Sequence, residues 1–290
     1  MSGGGDDYFD PSMGSFFFGH PGALYPIHAV VEPYGIDDDE GLSLSRSLGG
    51  GIRARSRRAR ASRSWKVTIP KAFPQDVINF REIVSSTLGP YVWVDPWAQV
   101  TNVLTPEMST LGSLMTPAEG LPQNGGGWRL VGLDNQWAAL TRSNPSKGYV
   151  RVGPAPIPPA IAGRPVTVSC WIASSTDAWV VLQWLDGSGN VVDSVYGNTV
   201  TGLDGLRRSV ATATPPWGAV ACRIQVSNAE VLARPAVTWT DKPVPWDVGN
   251  GALQVEISDV SRKVTRADST YRLHDLSFTV TEVGPAEVMG

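Results

Sequence analysis

The chain is predicted to be mainly β, a β domain with one packed α-helix that carries an inserted jelly-roll β-sandwich. Three observations predict this. The 31 glycines and 23 prolines cut the 290 residues into short segments, and 11 tryptophans sit among those segments. Short, tryptophan-rich segments bounded by Gly and Pro favour strands over helices. Evenly spaced alternating segments fill the middle of the chain, and a single helical stripe precedes them. A length of 290 residues exceeds one typical domain of about 100–150 residues, so two domains are expected.

Residues 1–14 read as an arm, with glycines, paired aspartates and little to bury. "LYPIHAVVEPYGI" reads as a strand and "DDDEG" as a solvated turn before "LSLSRSL"; Gly49–Gly51 form a hinge. Trp65, Val67 and Ile69 then alternate with Ser64, Lys66 and Thr68, the mark of a half-buried antiparallel strand. "FPQDVINFREIVSSTLGP" is the helix. Pro74 suits its first turn, Asp76 complements the positive end of its dipole, and Gly89-Pro90 stops it. Val77, Phe80, Val84 and Leu88, with Ile83, form one apolar stripe for a sheet to cover. "YVWVDPWAQVTNVLTPEMS" follows as a strand ending in two proline turns, and the residues near 108–127 form a Pro/Gly-rich connection.

From Trp128 to Thr240 the strands are "GWRLVG", "WAALTR", "GYVRVG", "PVTVSCWIAS", "AWVVLQWLD", "VVDSVYG", "LRRSVATA", "AVACRIQVS" and "RPAVTWT", with "DGSGN" as a hairpin turn. Such strands, with turns about every 8–12 residues, predict a jelly-roll sandwich. "PWDVGNGALQVEISDVSRKVTR" and "YRLHDLSFTVTEVG" return to the style of the first segment. The expected division is therefore an arm at 1–14, a split domain at 15–110 with 245–290, a linker at 111–127 and a jelly roll at 128–240.

The formal net charge is -3 and the sequence pI about 5.6, which argues against a general nucleic-acid binder. No stretch is apolar enough for a membrane span, and the Phe16–Phe18 run is too short for a signal peptide, so folding in a cytoplasm is expected. His20, His28 and His274 stand alone, without zinc-ligand spacing. There is no Gly-x-Ser-x-Gly elbow and no phosphate loop. Asp177, Asp186, Asp193 and Asp204 could supply a glycosidase-type pair, but all fall beside turns, and turn chemistry accounts for them. Neither catalysis, a metal nor a cofactor is expected. Cys170 and Cys222 each alternate in phase with aliphatic residues and read as core positions; a disulfide would require that their strands meet.

Trp128, Trp137, Trp171, Trp179, Trp184, Trp217 and Trp239 are numerous for one small core. Trp171 is out of phase with Val168, Cys170 and Ile172, and Trp179 and Trp184 have opposite parity. Trp171, Trp179 and Trp184 are therefore candidates for stacking on a sugar ring. The alternative is packing under loops or against a neighbouring subunit.

"SRSWKVTIP", "LGPYVWVDPWAQVTNVLTP", "ARPAVTWTDKPVPWDVGNGALQVEISDVSR" and "RLHDLSFTVTEVG" resemble phrases of tail-tip proteins of long-tailed actinobacteriophages, over Trp65 to Gly284. The resemblance implies a distal tail protein. Its β-sandwich ring domain, with one packed helix, would close as a homo-hexamer at the end of the tail tube. Its inserted sandwich would resemble a carbohydrate-binding module and either bind a host cell-surface glycan or serve as scaffold. Tail tube, tape measure and tail hub would be neighbours, and the virion the destination. Another minor tail protein of the same tip, or a stand-alone carbohydrate-binding protein, is the alternative.

The stretch "RARSRRARASRSWKVTIP" sets six arginines, Arg53, Arg55, Arg57, Arg58, Arg60 and Arg63, ahead of the Trp65 strand. A closed ring needs head-to-tail contacts, in which the planar guanidinium forms two-pronged pairs. Asp37, Asp38, Asp39 and Glu40 are available acidic partners. An assembly interface, a solvated loop and a transient phosphate contact with DNA are the three readings of the run. The acidic balance excludes a dedicated DNA binder.

Overall fold

The computed structural model describes residues 16–20, 22–27, 35–39, 42–46, 52–56, 62–85, 91–111, 128–133, 137–142, 149–151, 157–267 and 272–283. Strands β1 (Phe16–His20), β2 (Ala23–Ile27), β3 (Gly35–Asp39), β4 (Leu42–Arg46), β5 (Ile52–Ser56) and β6 (Ser62–Ala72) precede helix α1 (Pro74–Ser85). Strand β7 (Tyr91–Val94) and the short helices α2 (Pro96–Thr101) and α3 (Pro106–Thr110) follow. The middle of the chain holds β8 (Trp128–Leu133), β9 (Trp137–Arg142), β10 (Tyr149–Arg151), β11 (Val166–Leu185) and β12 (Val191–Tyr196). Then come β13 (Val200–Ala213), β14 (Ala221–Ser227) and β15 (Val231–Thr238), and the chain closes with β16 (Ala252–Ala267) and β17 (Arg272–Glu282).

The first sheet has seven strands in the order β2-β1-β7-β16-β17-β6-β3, so the two ends of the chain build one sheet. Leu276, Phe278 and Val280 lie opposite Ile69, Val67 and Trp65. These residues share one buried face with Phe16, Phe18, Tyr91 and Trp93, and α1 covers it through Val77, Phe80 and Ile83. The Phe80 ring lies 4.6 Å from that of Phe278. Val84 packs only at the edge of this cluster, and Leu88 lies outside the described residues. Burial of a side chain of this size contributes roughly 1.5–3 kcal/mol.

The opposite face of the sheet presents Phe17, Val92 and Val94, which belong to a second core shared with the sandwich. That core includes Val168, Cys170, Ile172, Val180, Leu182, Trp184, Cys222, Ile224 and Val226. Both cysteines are free, on different layers, and burial pushes each thiol up to about 12. Neither is a thiolate at neutral pH.

Two expected strands of the sandwich are one. β11 runs for 20 residues. Its first half pairs with β13 and β15, its second half with β12 and β14, and the register breaks between Ile172 and Ala178. There the exposed Ser175–Asp177 stretch carries the strand from one layer to the other. Two further corrections concern short elements. Asp37–Asp39, expected in a turn, belong to β3, with Asp38 opposite Arg63; an edge strand tolerates such charge. The "DPWAQVTNVLTP" phrase, expected to end a strand in proline turns, folds as α2 and α3. The Asp95 carboxylate accepts from Ala98 N at 2.6 Å and Pro96 opens α2.

Candidate functional site

Along the second half of β11, Val180, Leu182 and Trp184 face the shared core, so Trp179, Val181 and Gln183 line the outer face. β14 supplies Arg223, Gln225 and Ser227 to that face, opposite Gln183, Val181 and Trp179. β12 places Tyr196 and Ser194 opposite Val181 and Gln183. Arg223 donates from Nε (3.2 Å) and Nη2 (2.8 Å) to the Gln183 Oε1 atom, which fixes the orientation of that amide. Tyr196 is 60% exposed, Trp179 is half-buried, and the Trp179 Nε1–H is buried with no partner among the described residues. Val181, Gln225 and Ser227 on this face are buried, so the platform it presents is the Tyr196 ring, part of Trp179, and the Gln183 amide held by Arg223. An aromatic surface beside directional polar groups is the combination a polyhydroxylated ring requires.

The three tryptophans expected at a sugar site do not converge. Trp184 is fully buried in the shared core, so its place among the sugar-stacking candidates is corrected: the parity that turns Trp179 outward turns Trp184 inward. Trp171 lies on the other half of β11, opposite Arg208 and Ala233, and therefore on the other layer. Trp179 alone belongs to the platform. Gln183, Tyr196 and Arg223 were not among the expected residues. For Arg223 the signal is the strict alternation in "ACRIQVS", which sets Arg223, Gln225 and Ser227 against Cys222, Ile224 and Val226.

The arginine run is not uniform. Arg63, expected at an assembly surface, is turned inward: Nε and Nη2 donate to Glu282 Oε2 and Oε1 at 3.0 Å each. Nη1 and Nη2 donate to the Asn250 and Gly251 carbonyls at 3.1 and 2.9 Å. Arg53 and Arg55 lie on β5, which pairs with β4 as a separate hairpin between β3 and β6. Arg57, Arg58 and Arg60 lie outside the described residues.

Buried polar groups instead join the two parts of the molecule. Asn102 is fully buried; its amide nitrogen donates to the Pro235 and Asp247 carbonyls at 3.2 and 3.1 Å. Its oxygen accepts from Leu104 N and Val237 N at 3.2 and 3.1 Å. Val103 N donates to the Val237 carbonyl and Trp239 N to the Gln99 carbonyl, each at 2.7 Å. Phe17 meets Trp239 edge-on at 5.2 Å, with the Arg164 guanidinium over both rings. "VGNG" closes the joint: Asn250 N and Gly251 N donate to the Asn102 and Leu104 carbonyls. A Cβ at Gly249 or Gly251 would strike the backbone of Val103–Thr105, so only glycine permits this approach.

Of the four aspartates expected beside turns, Asp186 holds a turn, whereas Asp177, Asp193 and Asp204 lie within β11, β12 and β13. Asp186 accepts from Ser188 N and Asn190 N at 2.8 Å, and bonds from Asn190 hold its carboxyl below the usual value. Asp204 pairs with Arg207, Asp177 accepts from the Thr201 hydroxyl, and Asp193 accepts from Ser194 N. Among the described residues no group of three His, Cys, Asp or Glu side chains could hold a metal ion. No described helix is long and apolar enough to cross a membrane.

No family model matches the chain, and no curated protein matches it. Solved structures similar to it include the enzymatically active domain of bacteriophage CBA120 tailspike protein 4. That domain is 15% identical over 48% of this chain and 21% of its own, with a TM-score of 0.35. A carbohydrate-binding module of the β-sandwich superfamily is 11% identical over 81% of this chain and 95% of its own, with a TM-score of 0.29. The Dit protein of phage SPP1, described as a hub adsorption apparatus, is 12% identical over 92% of this chain and 99% of its own, at 0.17. The chain thus spans about a fifth of the tailspike domain's length. It is a mainly β protein of antiparallel sheets, with a β-sandwich joined to a split, helix-covered sheet.

Proposed function

We propose that this chain is a structural component of the tail tip of a long-tailed actinobacteriophage. It is distal-tail-like, closing as a homo-hexameric ring at the end of the tail tube and holding its sandwich in a fixed orientation. The observation that carries this reading is the joint. The phrases that resemble tail-tip proteins, "DPWAQVTNVLTP" and "RPAVTWTDKPVPWDVGNG", meet there, and their buried polar groups couple sandwich to sheet. A rigid coupling of this kind suits a part that transmits geometry. The protein is assigned no reaction of its own. Arg53, Arg55, Arg57, Arg58 and Arg60 belong to contacts between copies, and any contact with DNA is transient. Tail tube, tape measure and tail hub are its virion neighbours.

The outer platform of Trp179, Gln183, Tyr196 and Arg223 supports host-surface glycan as the ligand of the sandwich. Negative-stain images of the purified chain test the ring: six-fold symmetric rings are expected, and isolated single copies would overturn it. A glycan array tests the platform. Binding that Trp179→Ala abolishes is expected, and binding unaffected by that change would remove the platform from the proposal.

A further inference from the structure

Among the described residues the outer edges of β2 and β3 and one edge of β16 have no partner strand; β2 carries no charge, whereas β3 is acidic and the stretch of β16 with Arg262 and Lys263 is basic. β3 ends the sheet and pairs only with β6. It reads "GIDDD", with Glu40 next in the chain. β16 pairs with β7 only at Ala252 and Val255, whereas its pairing with β17 continues to Ala267. From Glu256 onward one edge of β16 therefore has no described strand beside it. The residues from Ser258 to Ala267 are exposed throughout, including Val260 and Val264 at 47% and 51%. Register shifts at Ser258/Ser261 and Val264/Arg266 bracket the stretch Ser261–Val264, whose charges are Arg262 and Lys263.

We propose that the β3 edge of one copy adds as a strand to the unpaired β16 edge of the next, so that the acidic segment Asp37–Asp39 runs beside Arg262 and Lys263. The inference rests on the ring reading and names the contact that would close it. Unpaired edges join through backbone hydrogen bonds, and the charges select the partner and suppress pairing of like edges. The two patches differ, so the contact is head-to-tail, the kind that generates a closed ring. β3, with five residues, is about as short as the four-residue stretch Ser261–Val264 that the two irregularities leave between them.

The test reverses one edge at a time in the full chain and reads self-association by sedimentation. One variant is Asp37→Lys with Asp39→Lys, which spares Asp38 opposite Arg63; the other is Arg262→Glu with Lys263→Glu. Each alone is expected to weaken self-association on the order of 100-fold, with an unchanged thermal midpoint. An equimolar mixture should reassemble, because each variant then presents to the other the charge that it lacks itself. Should a reversal lower the midpoint, the milder pairs Asp37→Asn with Asp39→Asn and Arg262→Gln with Lys263→Gln are read for graded weakening. Variants that assemble like the wild type would overturn the edge contact and leave the ring standing. Two variants that dissociate yet fail to reassemble when mixed would overturn the pairing of these edges. A wild type that stays a single copy at every concentration would overturn the ring reading and this contact together.

Discussion

Arg63 and Glu282, 219 positions apart, form a two-pronged ion pair with both contacts at 3.0 Å and side chains only 11% and 4% exposed. The pair joins the start of β6 to the end of β17. The other guanidinium bonds, to the Asn250 and Gly251 carbonyls, bind the segment that leads into β16. Removing one member of such a pair leaves a buried charge uncompensated, so Arg63→Ala should cost about 3–5 kcal/mol. In a double-mutant cycle with Glu282→Ala, the two losses should fall well short of additive. Chemical denaturation measures both, and additive losses under about 1 kcal/mol each would contradict the pairing.

Phe80 is the residue that seats α1 on the sheet, buried against Phe18 and Phe278. Phe80→Ala should destabilise by about 3–5 kcal/mol. Arg81→Ala and Glu82→Ala, on the exposed side, should stay within about 0.5 kcal/mol of the wild type. A thermal melt in which the three variants coincide would contradict the packing.

Asn102→Ala would leave the Asp247 carbonyl and the Leu104 and Val237 N–H groups without their Asn102 partner, while the Pro235 carbonyl keeps the Trp246 Nε1–H. A loss of roughly 2–4 kcal/mol is expected, since each orphaned buried group costs about 1–3 kcal/mol. Asn102→Asp should be comparably damaging, because a carboxylate cannot donate to two carbonyls. Limited proteolysis should then separate the sandwich from the split sheet sooner than in the wild type; an unchanged cleavage pattern would contradict the joint.

Asp95 gives a pH dependence of definite sign. Burial raises its carboxyl above 3.8, against the lowering effect of the Ala98 N–H bond and the Arg63 charge. Between the unfolded value and the higher folded one, the folded chain holds the proton more tightly, so this group's contribution to stability falls as pH rises through that window. Asp95→Asn keeps an α2 cap and removes the titration. Relative to the wild type, the variant should gain stability as pH is raised from below the unfolded value through the folded one. A difference independent of pH would contradict the burial effect.

The sequence makes some of this architecture legible and hides the rest for physical reasons. Alternation at Trp65, Val67 and Ile69 and the Val77–Phe80 stripe each report one local face, and those faces are the ones buried. Alternation likewise separates Trp179 from Trp184, and it contains the Arg223 side of the platform. Asn102 could not be read as a joint, because its partners lie up to 145 positions away and a lone Asn beside prolines looks like a turn residue. The inward turn of Arg63 is equally non-local: Ser62 and Ser64 flank it, and its partner Glu282 lies 219 positions away. β11 appeared as two strands because the exposed Ser175–Asp177 stretch has turn composition, although in space it is the passage between layers.

A chain that works as an assembling structural part is heavier in solution than a single copy, and its mass is the quantity to measure. Light scattering coupled to size exclusion should give about six times the 31.0 kDa of one chain, held across a tenfold dilution. A mass of one chain at every concentration would contradict assembly.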